Sequence, residues 1–250
     1  MTPGSARASG NATHRRQDET VLTLVRHGET DWNRELRIQG STDVPLNDLG
    51  IAQARAAGQG LAGCGYVAVY SSPQSRALQT ARMIAEAIGA PSPVVYDDLR
   101  ERSFGPAEGM TGPEIAASFP DGIPGQETRD AVVERALPVL EEIARRHRGE
   151  AVIVVTHGAV ISSIVRRVSD NALPAAGEPI LNLSLSHFTH AGEVLHLREF
   201  NVPSHDPELL TLDVVSAPAA QAHDAAGAAS ALPTTSRSTS SSAAADPAQV

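Results

Sequence analysis

Residues 21–33 read VLTLVRHGETDWN, an apolar run followed at once by charged and polar side chains. The run 21–25 is short, apolar and rich in β-branched residues, which predicts a buried β-strand. In open α/β sheets ligands bind beyond the carboxyl ends of the strands, and this is where His27 stands. Residues 151–158 read AVIVVTHG and repeat the arrangement late in the chain, with His157 just past the apolar run. The two segments therefore predict one site built from both ends of a domain.

Strands and helices alternate through the middle of the chain. Apolar runs predict strands at 21–25, 66–70, 94–96 and 151–155. Helical patterns fill the segments 47–61, with Asn47 as its cap, 74–88, 113–118, 128–148 and 159–168. Two last strands, 181–188 and 193–199, alternate apolar and polar residues as at a sheet edge. The order predicts an α/β fold, a three-layer sandwich with a mostly parallel central sheet and helices on both faces. Pro138 lies inside the longest helix and should kink it or divide it in two.

Composition divides the chain into one folded domain and two tails. Residues 1–19 are polar and aperiodic, and 216–250 are mostly Ala, Ser, Thr and Pro. Neither segment buries enough apolar surface to offset its ordering entropy, so both are expected to be disordered. The folded unit is then a single domain over residues 20–215.

Charge and cysteine content exclude several functional classes. The net charge of −9 disfavours nucleic acid and anionic membranes as main partners. The single Cys64 excludes an intramolecular disulfide and disfavours a cysteine-based zinc site. No apolar stretch approaches the roughly 20 residues that cross a bilayer, and none resembles a secretory signal. We therefore expect a cytoplasmic protein with no membrane partner; the sequence leaves a homodimer open.

Two arginines stand where they could bind phosphate. Guanidinium groups bind phosphate oxygens bidentately, and both Arg26 and Arg76 follow predicted strands. Most arginines are solvated surface residues, but a position beside His27 and at a second strand end favours a shared anion site.

The two His-Gly pairs alone allow a metal pair, two core histidines, or a nucleophile with its partner. No carboxylate or cysteine stands at metal-ligand spacing beside them, so we expect no metal. His187, His190 and His196 fall on the last strands and are interpreted as surface residues.

Five blocks of sequence follow one another in a set order. They are 26–30 with Asn33; 39–40 with 43–46 and 49–50; 71–73 with Arg76, Gln79 and Thr80; 99–101 with 104–105 and 108–109; and 156–158. Together with Asn182 and the segment 201–205, they resemble the histidine phosphatase superfamily, the phosphoglycerate mutase-like proteins. The resemblance spans nearly all of residues 20–206.

The resemblance implies a phosphohistidine mechanism that needs neither a metal nor another cofactor. His27 would be the nucleophile, and Arg26, Arg76 and His157 would hold the transferring phosphoryl group. Glu101 would protonate the leaving alkoxide and then deprotonate the hydrolytic water. Further contacts to the phosphate would come from Asn33, Gln39, Gly40 and Gly158.

Three functions are consistent with these residues. The leading one is a metal-independent phosphomonoesterase acting on a small phosphorylated metabolite, such as a sugar or sugar-acid phosphate. The second is a bisphosphoglycerate-dependent phosphoglycerate mutase, which the short spacing between Glu101 and His157 disfavours, because mutases of this family carry a long insertion there. The third is a non-catalytic phospholigand-binding protein, disfavoured because every expected residue is present. Arg102 and a short lid around Asp121 are expected at the pocket rim, where Arg102 would either lower the pKa of Glu101 or bind a second anionic group of the substrate.

Overall fold

The computed structural model describes residues 19–204. The predictions for residues 1–18 and 205–250 therefore lie outside the described residues. The strands are β1 (Thr20–Arg26), β2 (Tyr66–Ser71), β3 (Val94–Val95), β4 (Ala151–Thr156), β5 (Ser184–Ala191) and β6 (Val194–Pro203). The helices are α1 (Asp31–Arg34), α2 (Asp48–Leu61), α3 (Ser75–Ile88), α4 (Gly112–Ser118), α5 (Arg129–Arg146) and α6 (Gly158–Val168). Within residues 19–204 no helix is both long and apolar enough to cross a membrane.

The six strands form one mixed sheet in the order β3-β2-β4-β1-β5-β6. The first four are mutually parallel, and β5 and β6 are antiparallel to their neighbours. This confirms the mostly parallel sheet. The assignment of both last strands to an edge is wrong for β5, which lies between β1 and β6. Its polar positions include the small hydroxyl residues Ser184 and Ser186, which are buried inside the sheet rather than facing water.

Helices cover both faces of the sheet, as predicted. On one face α5 and α6 pack Leu140 and Ile161 against the Leu22 and Leu24 side of β1. On the other face α2 and α3 pack against the side of β1 that carries Val25. Successive residues of a strand point to opposite faces, so the central strand contributes to both cores.

Two local features of the helices are the cap of α2 and the proline inside α5. Asn47 caps α2 as expected, because its side-chain oxygen accepts a hydrogen bond from Gly50 N at 2.8 Å. Helix α5 runs unbroken with Pro138 inside it, so the prediction that proline divides this helix is wrong. Pro138 and Glu134 are both exposed. The Glu134 carbonyl, which loses its N–H partner to the proline, therefore belongs to the exposed side of the helix.

The three late histidines do not share one environment, and the prediction that all lie on the surface is partly wrong. His196 is exposed, but His190 is buried. His187 is half-buried, and its Nδ1 lies 2.9 Å from Thr23 Oγ1. His187 and His190 belong to the internal strand β5, which accounts for their burial.

The register of the two central strands positions the site. Strands β1 and β4 pair in parallel so that Arg26 lies opposite Thr156. The N–H of His27 then donates to the carbonyl oxygen of Thr156 at 3.0 Å. The first residue after β1 and the first after β4 are thereby brought side by side.

Candidate active site

His27 lies directly after β1 and is almost fully buried. Its Nδ1 is 2.7 Å from the carbonyl oxygen of Gly28, and a carbonyl only accepts, so Nδ1 carries the proton. The lone pair of the neutral ring is therefore on Nε2. Asn182 Nδ2 donates to the His27 carbonyl at 2.8 Å. Ring and backbone are thus both held in place.

His157 lies between β4 and α6, as the N-cap residue of the helix, and its ring lies against His27. The two ring centroids are 5.2 Å apart. His157 Nε2 lies 2.8 Å from the hydroxyl of Ser72, which fixes the orientation of the ring. His157 Nδ1 is buried and has no hydrogen-bond partner within residues 19–204. A buried polar atom of this kind is uncommon in a protein core and indicates a place for a ligand.

Two guanidinium groups flank the histidine pair, that of Arg76 fully buried and that of Arg26 partly buried. Arg26 donates through Nη1 to the carbonyl of Ile180, and Arg76 donates through Nη1 and Nη2 to the carbonyls of Thr42 and Gly40 at 2.9 and 3.0 Å. In the described part of the chain neither Arg26 Nε nor Arg76 Nε has a partner. Each guanidinium is therefore anchored through its terminal nitrogens, while its buried Nε–H group can still donate a hydrogen bond to a ligand.

Burial and positive neighbours set the charge state of this group. Burial is the largest cause of the low pKa of His27, and Arg76 and then Arg26 lower it further. Burial, then Arg76, likewise lowers the pKa of His157. Burial also lowers the pKa of Arg26 to about 10, against the opposing charge of Glu101. At neutral pH the site therefore combines two neutral imidazoles with charged guanidinium groups, an arrangement that favours an anion.

Glu101 lies in an irregular loop that faces these residues. Its N–H donates to Gln74 Oε1 at 2.7 Å. Its carboxylate accepts the N–H of Arg102 at 2.8 Å and that of Ala159, in the first turn of α6, at 3.3 Å. These two contacts hold the carboxyl group at the N-terminal end of α6.

Asn33 and Gln39 close the pocket from another side. Asn33 Oδ1 accepts a hydrogen bond from Thr30 N at 3.2 Å, which leaves the Nδ2 amide group as the donor of this side chain. Gln39 is buried, and its Oε1 has no partner among residues 19–204. Both side chains line the same cleft as His27.

Gly40 occupies a position that favours glycine. Its φ is 55°, in the left-handed region, and a Cβ there would lie 2.2 Å from Glu108 Oε1. Glu108 accepts hydrogen bonds from the N–H groups of Ser41 and Thr42 at 2.8 and 2.9 Å. The glycine therefore lets the loop close on Glu108 and direct its carbonyl at Arg76.

The structure brings the predicted residues together around one cleft of about 330 Å³. His157 does not line the cleft, because it is fully buried beside His27. The other eight line the cleft: Arg26, His27, Asn33, Gln39, Gly40, Arg76, Glu101 and Gly158. Their proximity is a structural finding, and their roles in a reaction stay predictions.

Sequence reasoning missed four polar residues of the cleft wall. They are Arg37, Arg129, Ser162 and Glu178. Arg129 is the first residue of α5, and its Nη1 donates to Ser162 Oγ at 3.3 Å. The only local signal for Arg129 is its position just after the helix cap Thr128. Nothing in the sequence pairs it with Ser162 on another helix.

The expectation that Arg102 and Asp121 form the pocket rim is wrong. Arg102 is buried, its Nε donates to the carbonyl of Glu127 at 2.5 Å, and its guanidinium lies 5.3 Å from the ring centroid of Phe104. Asp121 is exposed, and neither residue lines the cleft. The cleft wall instead carries Arg37 and Arg129.

A second cleft, of about 400 Å³, shares no lining residue with the first. It is lined by Glu29, Asp31, Arg34, Asn47, Asp48 and Leu49. It contains neither histidine nor either buried arginine, and its three carboxylates would repel a phosphate. Within residues 19–204 no group of three or more His, Cys, Asp or Glu side chains is arranged to hold a metal ion. The first cleft is therefore the one suited to an anion.

Known proteins are similar to this chain in sequence and in fold. The family model of the histidine phosphatase superfamily (branch 1) matches residues 22–203. A metal-independent phosphoserine phosphatase from Arabidopsis thaliana is 39% identical over 72% of this chain and 77% of its own length. The Bacillus subtilis protein named uncharacterized phosphatase PhoE is 35% identical over 74% and 96%. Bisphosphoglycerate-dependent phosphoglycerate mutases match over 59 to 64% of this chain.

Solved structures agree with the sequence matches. A mycobacterial glucosyl-3-phosphoglycerate phosphatase superposes with a TM-score of 0.65 at 28% identity, covering 74% of this chain and 99% of that one. The sheet order, the flanking helices and the family match together confirm the predicted fold class. The chain belongs to the histidine phosphatase superfamily, in its phosphatase branch, and is a phosphoric monoester hydrolase.

Proposed function

We propose that this hydrolase works without a metal, through a phosphohistidine intermediate on His27. The observation that carries the proposal is the 2.7 Å contact between His27 Nδ1 and the Gly28 carbonyl. This contact leaves Nε2 unprotonated, and the low pKa of His27, caused by burial and then Arg76 and Arg26, keeps the ring neutral. A neutral imidazole with a fixed tautomer is a competent nucleophile.

The first step transfers the phosphoryl group to the enzyme. His27 Nε2 forms a bond to phosphorus while the bond from phosphorus to the ester oxygen breaks. The leaving alkoxide takes a proton from the carboxyl group of Glu101 and departs as an alcohol. General acid assistance of this kind contributes about 100- to 10,000-fold to such steps.

The second step releases phosphate. The Glu101 carboxylate accepts a proton from water as the water oxygen bonds to phosphorus, and the bond from phosphorus to His27 Nε2 breaks. The products are inorganic phosphate, a neutral His27 and a protonated Glu101, which is the state that began the cycle. The same carboxyl group thus acts as acid and then as base.

Charge on the equatorial oxygens is stabilised by fixed donors. Arg26 Nε and Arg76 Nε are buried donors without partners in the described protein, and His157 Nδ1 is a third when the Ser72 hydroxyl donates to His157 Nε2. Preorganised donors in a water-poor site stabilise developing charge more strongly than solvent does. These three groups therefore do the electrostatic work that a metal ion does in other phosphatases.

We propose a small substrate that carries a second anionic group, such as the carboxylate of a sugar-acid phosphate. The cleft of about 330 Å³ suits a small metabolite. Arg129 lines it, at the N-terminal end of α5, and is held by Ser162 at 3.3 Å. Arginine at a helix N-terminus combines two features that attract a carboxylate. Phosphoserine and glucosyl-3-phosphoglycerate, named for two relatives, both carry a carboxylate.

The reaction is tested by hydrolysis of p-nitrophenyl phosphate and 3-phosphoglycerate with EDTA present. Wild type and the exposed-site control His196→Ala should both release phosphate, and His27→Ala should lose at least about 1,000-fold, since it removes the attacking group. Turnover by His27→Ala close to wild type would refute the proposal. Formation of 2-phosphoglycerate that depends on added 2,3-bisphosphoglycerate, in place of phosphate release, would favour a mutase.

Substrate choice is tested with a matched pair, 3-phosphoglycerate and glycerol 3-phosphate. Arg129→Gln should lower kcat/KM for the carboxylated ester about 10-fold or more, the range for a charge-assisted hydrogen bond, and leave glycerol 3-phosphate within about 2-fold. Arg145→Gln, on the exposed end of the same helix, serves as the control. Equal losses on both esters would exclude a carboxylate role for Arg129.

A further inference from the structure

Arg135 lies on α5, outside the cleft, and its side chain reaches the loop that carries Glu101. All five N–H groups of its guanidinium are used in five hydrogen bonds. Nη1 donates to the carbonyls of Asp98 and Arg100 at 2.6 and 2.8 Å. Nη2 donates to the carbonyl of Glu101 at 3.3 Å. One buried side chain thus binds three carbonyls of the loop just before and at the proposed acid.

Glu127 completes this contact from the other side. Its carboxylate accepts Nε and Nη2 of Arg135 at 2.7 and 3.0 Å and also the N–H of Ser103 at 3.1 Å. The backbone N–H of Glu127 donates to the carbonyl of Ser103 at 2.9 Å. The Glu127 carbonyl accepts Nε of Arg102 at 2.5 Å. The loop is therefore held on both sides of Glu101.

No regular secondary structure holds this loop. Glu101 follows the short 3-10 turn Asp97–Leu99 and lies in neither a helix nor a strand. Only 9% of the Arg135 side chain and 15% of the Glu127 side chain are exposed. A buried ion pair is a weak source of stability, because desolvation offsets most of the Coulomb attraction. The pair instead makes four side-chain hydrogen bonds to the backbone of residues 98–103.

We infer that Arg135 and Glu127 form a positioning pair that aims the Glu101 carboxylate at the leaving oxygen. The inference rests on the proposed acid role of Glu101 and extends it to residues that do not touch the substrate. A displacement of about 1 Å at a reacting group can cost about 100-fold in rate. The loss should be largest where protonation of the leaving group matters most, in esters of aliphatic alcohols. Arg26, Arg76 and His157 have no hydrogen bond to either member of the pair.

The test compares kcat/KM for p-nitrophenyl phosphate and glycerol 3-phosphate in the full chain. The value of kcat/KM reports the first transfer step, so slow release of phosphate does not mask the effect. The ratio of the alkyl to the aryl value should fall sharply in Glu101→Gln, which removes the acid. It should fall about 10-fold in Arg135→Lys, which keeps the charge and loses the planar fork. Inhibition by inorganic phosphate should stay within about 2-fold of wild type in Arg135→Lys, since its phosphate ligands are intact.

Two further variants make the result decisive. Arg146→Lys, at the exposed end of α5, should leave the ratio unchanged. Glu127→Gln keeps the shape of the second partner and should lower the ratio, and it carries the test if Arg135→Lys does not fold. If Glu101→Gln lowers the ratio and the pair variants do not, the positioning inference is wrong and the acid role stands. If Glu101→Gln leaves the ratio unchanged, the acid role itself is refuted, and the inference with it.

Discussion

The two buried histidines should make the stability of the protein depend on pH in a defined window. Burial, then the nearby arginines, hold the pKa of His27 and of His157 well below 6.5 in the folded state. In the unfolded chain both rings have a pKa of about 6.5. Below that value the unfolded state binds more protons than the folded state, so the free energy of unfolding decreases as the pH falls. Above it the contribution of both histidines is fully retained.

The size of the effect follows from the proton balance. At about pH 5.5 a histidine of the unfolded chain is about 90% protonated, which stabilises that state by about 1.4 kcal/mol. The folded protein gains nothing if its rings stay neutral, so the pair together should cost about 3 kcal/mol between pH 7.5 and 5.5. This is a large share of a typical unfolding free energy of about 5–15 kcal/mol.

Urea unfolding at several pH values, followed by circular dichroism in phosphate-free buffer, measures this dependence. His27→Gln removes one titrating ring, so its loss between pH 7.5 and 5.5 should be about 1.4 kcal/mol smaller than that of wild type. His196→Gln removes an exposed histidine and should follow wild type. If His27→Gln loses as much stability as wild type, His27 is not held neutral, and the reasoning about its nucleophilic state fails.

Three further substitutions test local features of the site. A Cβ at Gly50 would lie 2.1 Å from the backbone oxygen of Glu29, so Gly50→Ala should lower the unfolding free energy by about 1–3 kcal/mol in denaturant titrations; wild-type stability would contradict the close approach. Ser72 lies 2.8 Å from His157 Nε2, so Ser72→Ala should lower kcat about 10-fold through loss of ring orientation, and an unchanged kcat would remove Ser72 from the site. Glu108 accepts four hydrogen bonds from loops around the cleft, so Glu108→Gln should raise KM several-fold, and an unchanged KM would show that these loops hold without the charge.

The central part of the fold and of the site could be predicted because it depends on local patterns. An apolar strand followed by His-Gly occurs twice, and parallel pairing of those strands places His27 and His157 side by side. The alternation of apolar and small hydroxyl residues in β5 predicts an edge strand, but it fits an internal strand equally well, and β5 is internal.

Contacts between distant residues could not be predicted in the same way. Arg102 stands next to Glu101 in sequence, yet its side chain turns to the carbonyl of Glu127, which is 25 residues away along the chain. Arg129 lines the cleft and Arg135 binds the loop that carries Glu101. Both contacts depend on where α5 packs. No periodicity or motif records such pairings, since they are fixed by tertiary packing.

The central claim is that His27 carries the phosphoryl group during turnover. The most direct measurement is rapid acid-free quenching of the enzyme during hydrolysis of a substrate labelled with radioactive phosphorus, followed by peptide mapping. The proposal predicts protein-bound label that is acid-labile and alkali-stable, located on His27, and absent from His27→Ala. Label on another residue, or turnover by wild type with no label on His27 at any quench time, would contradict it.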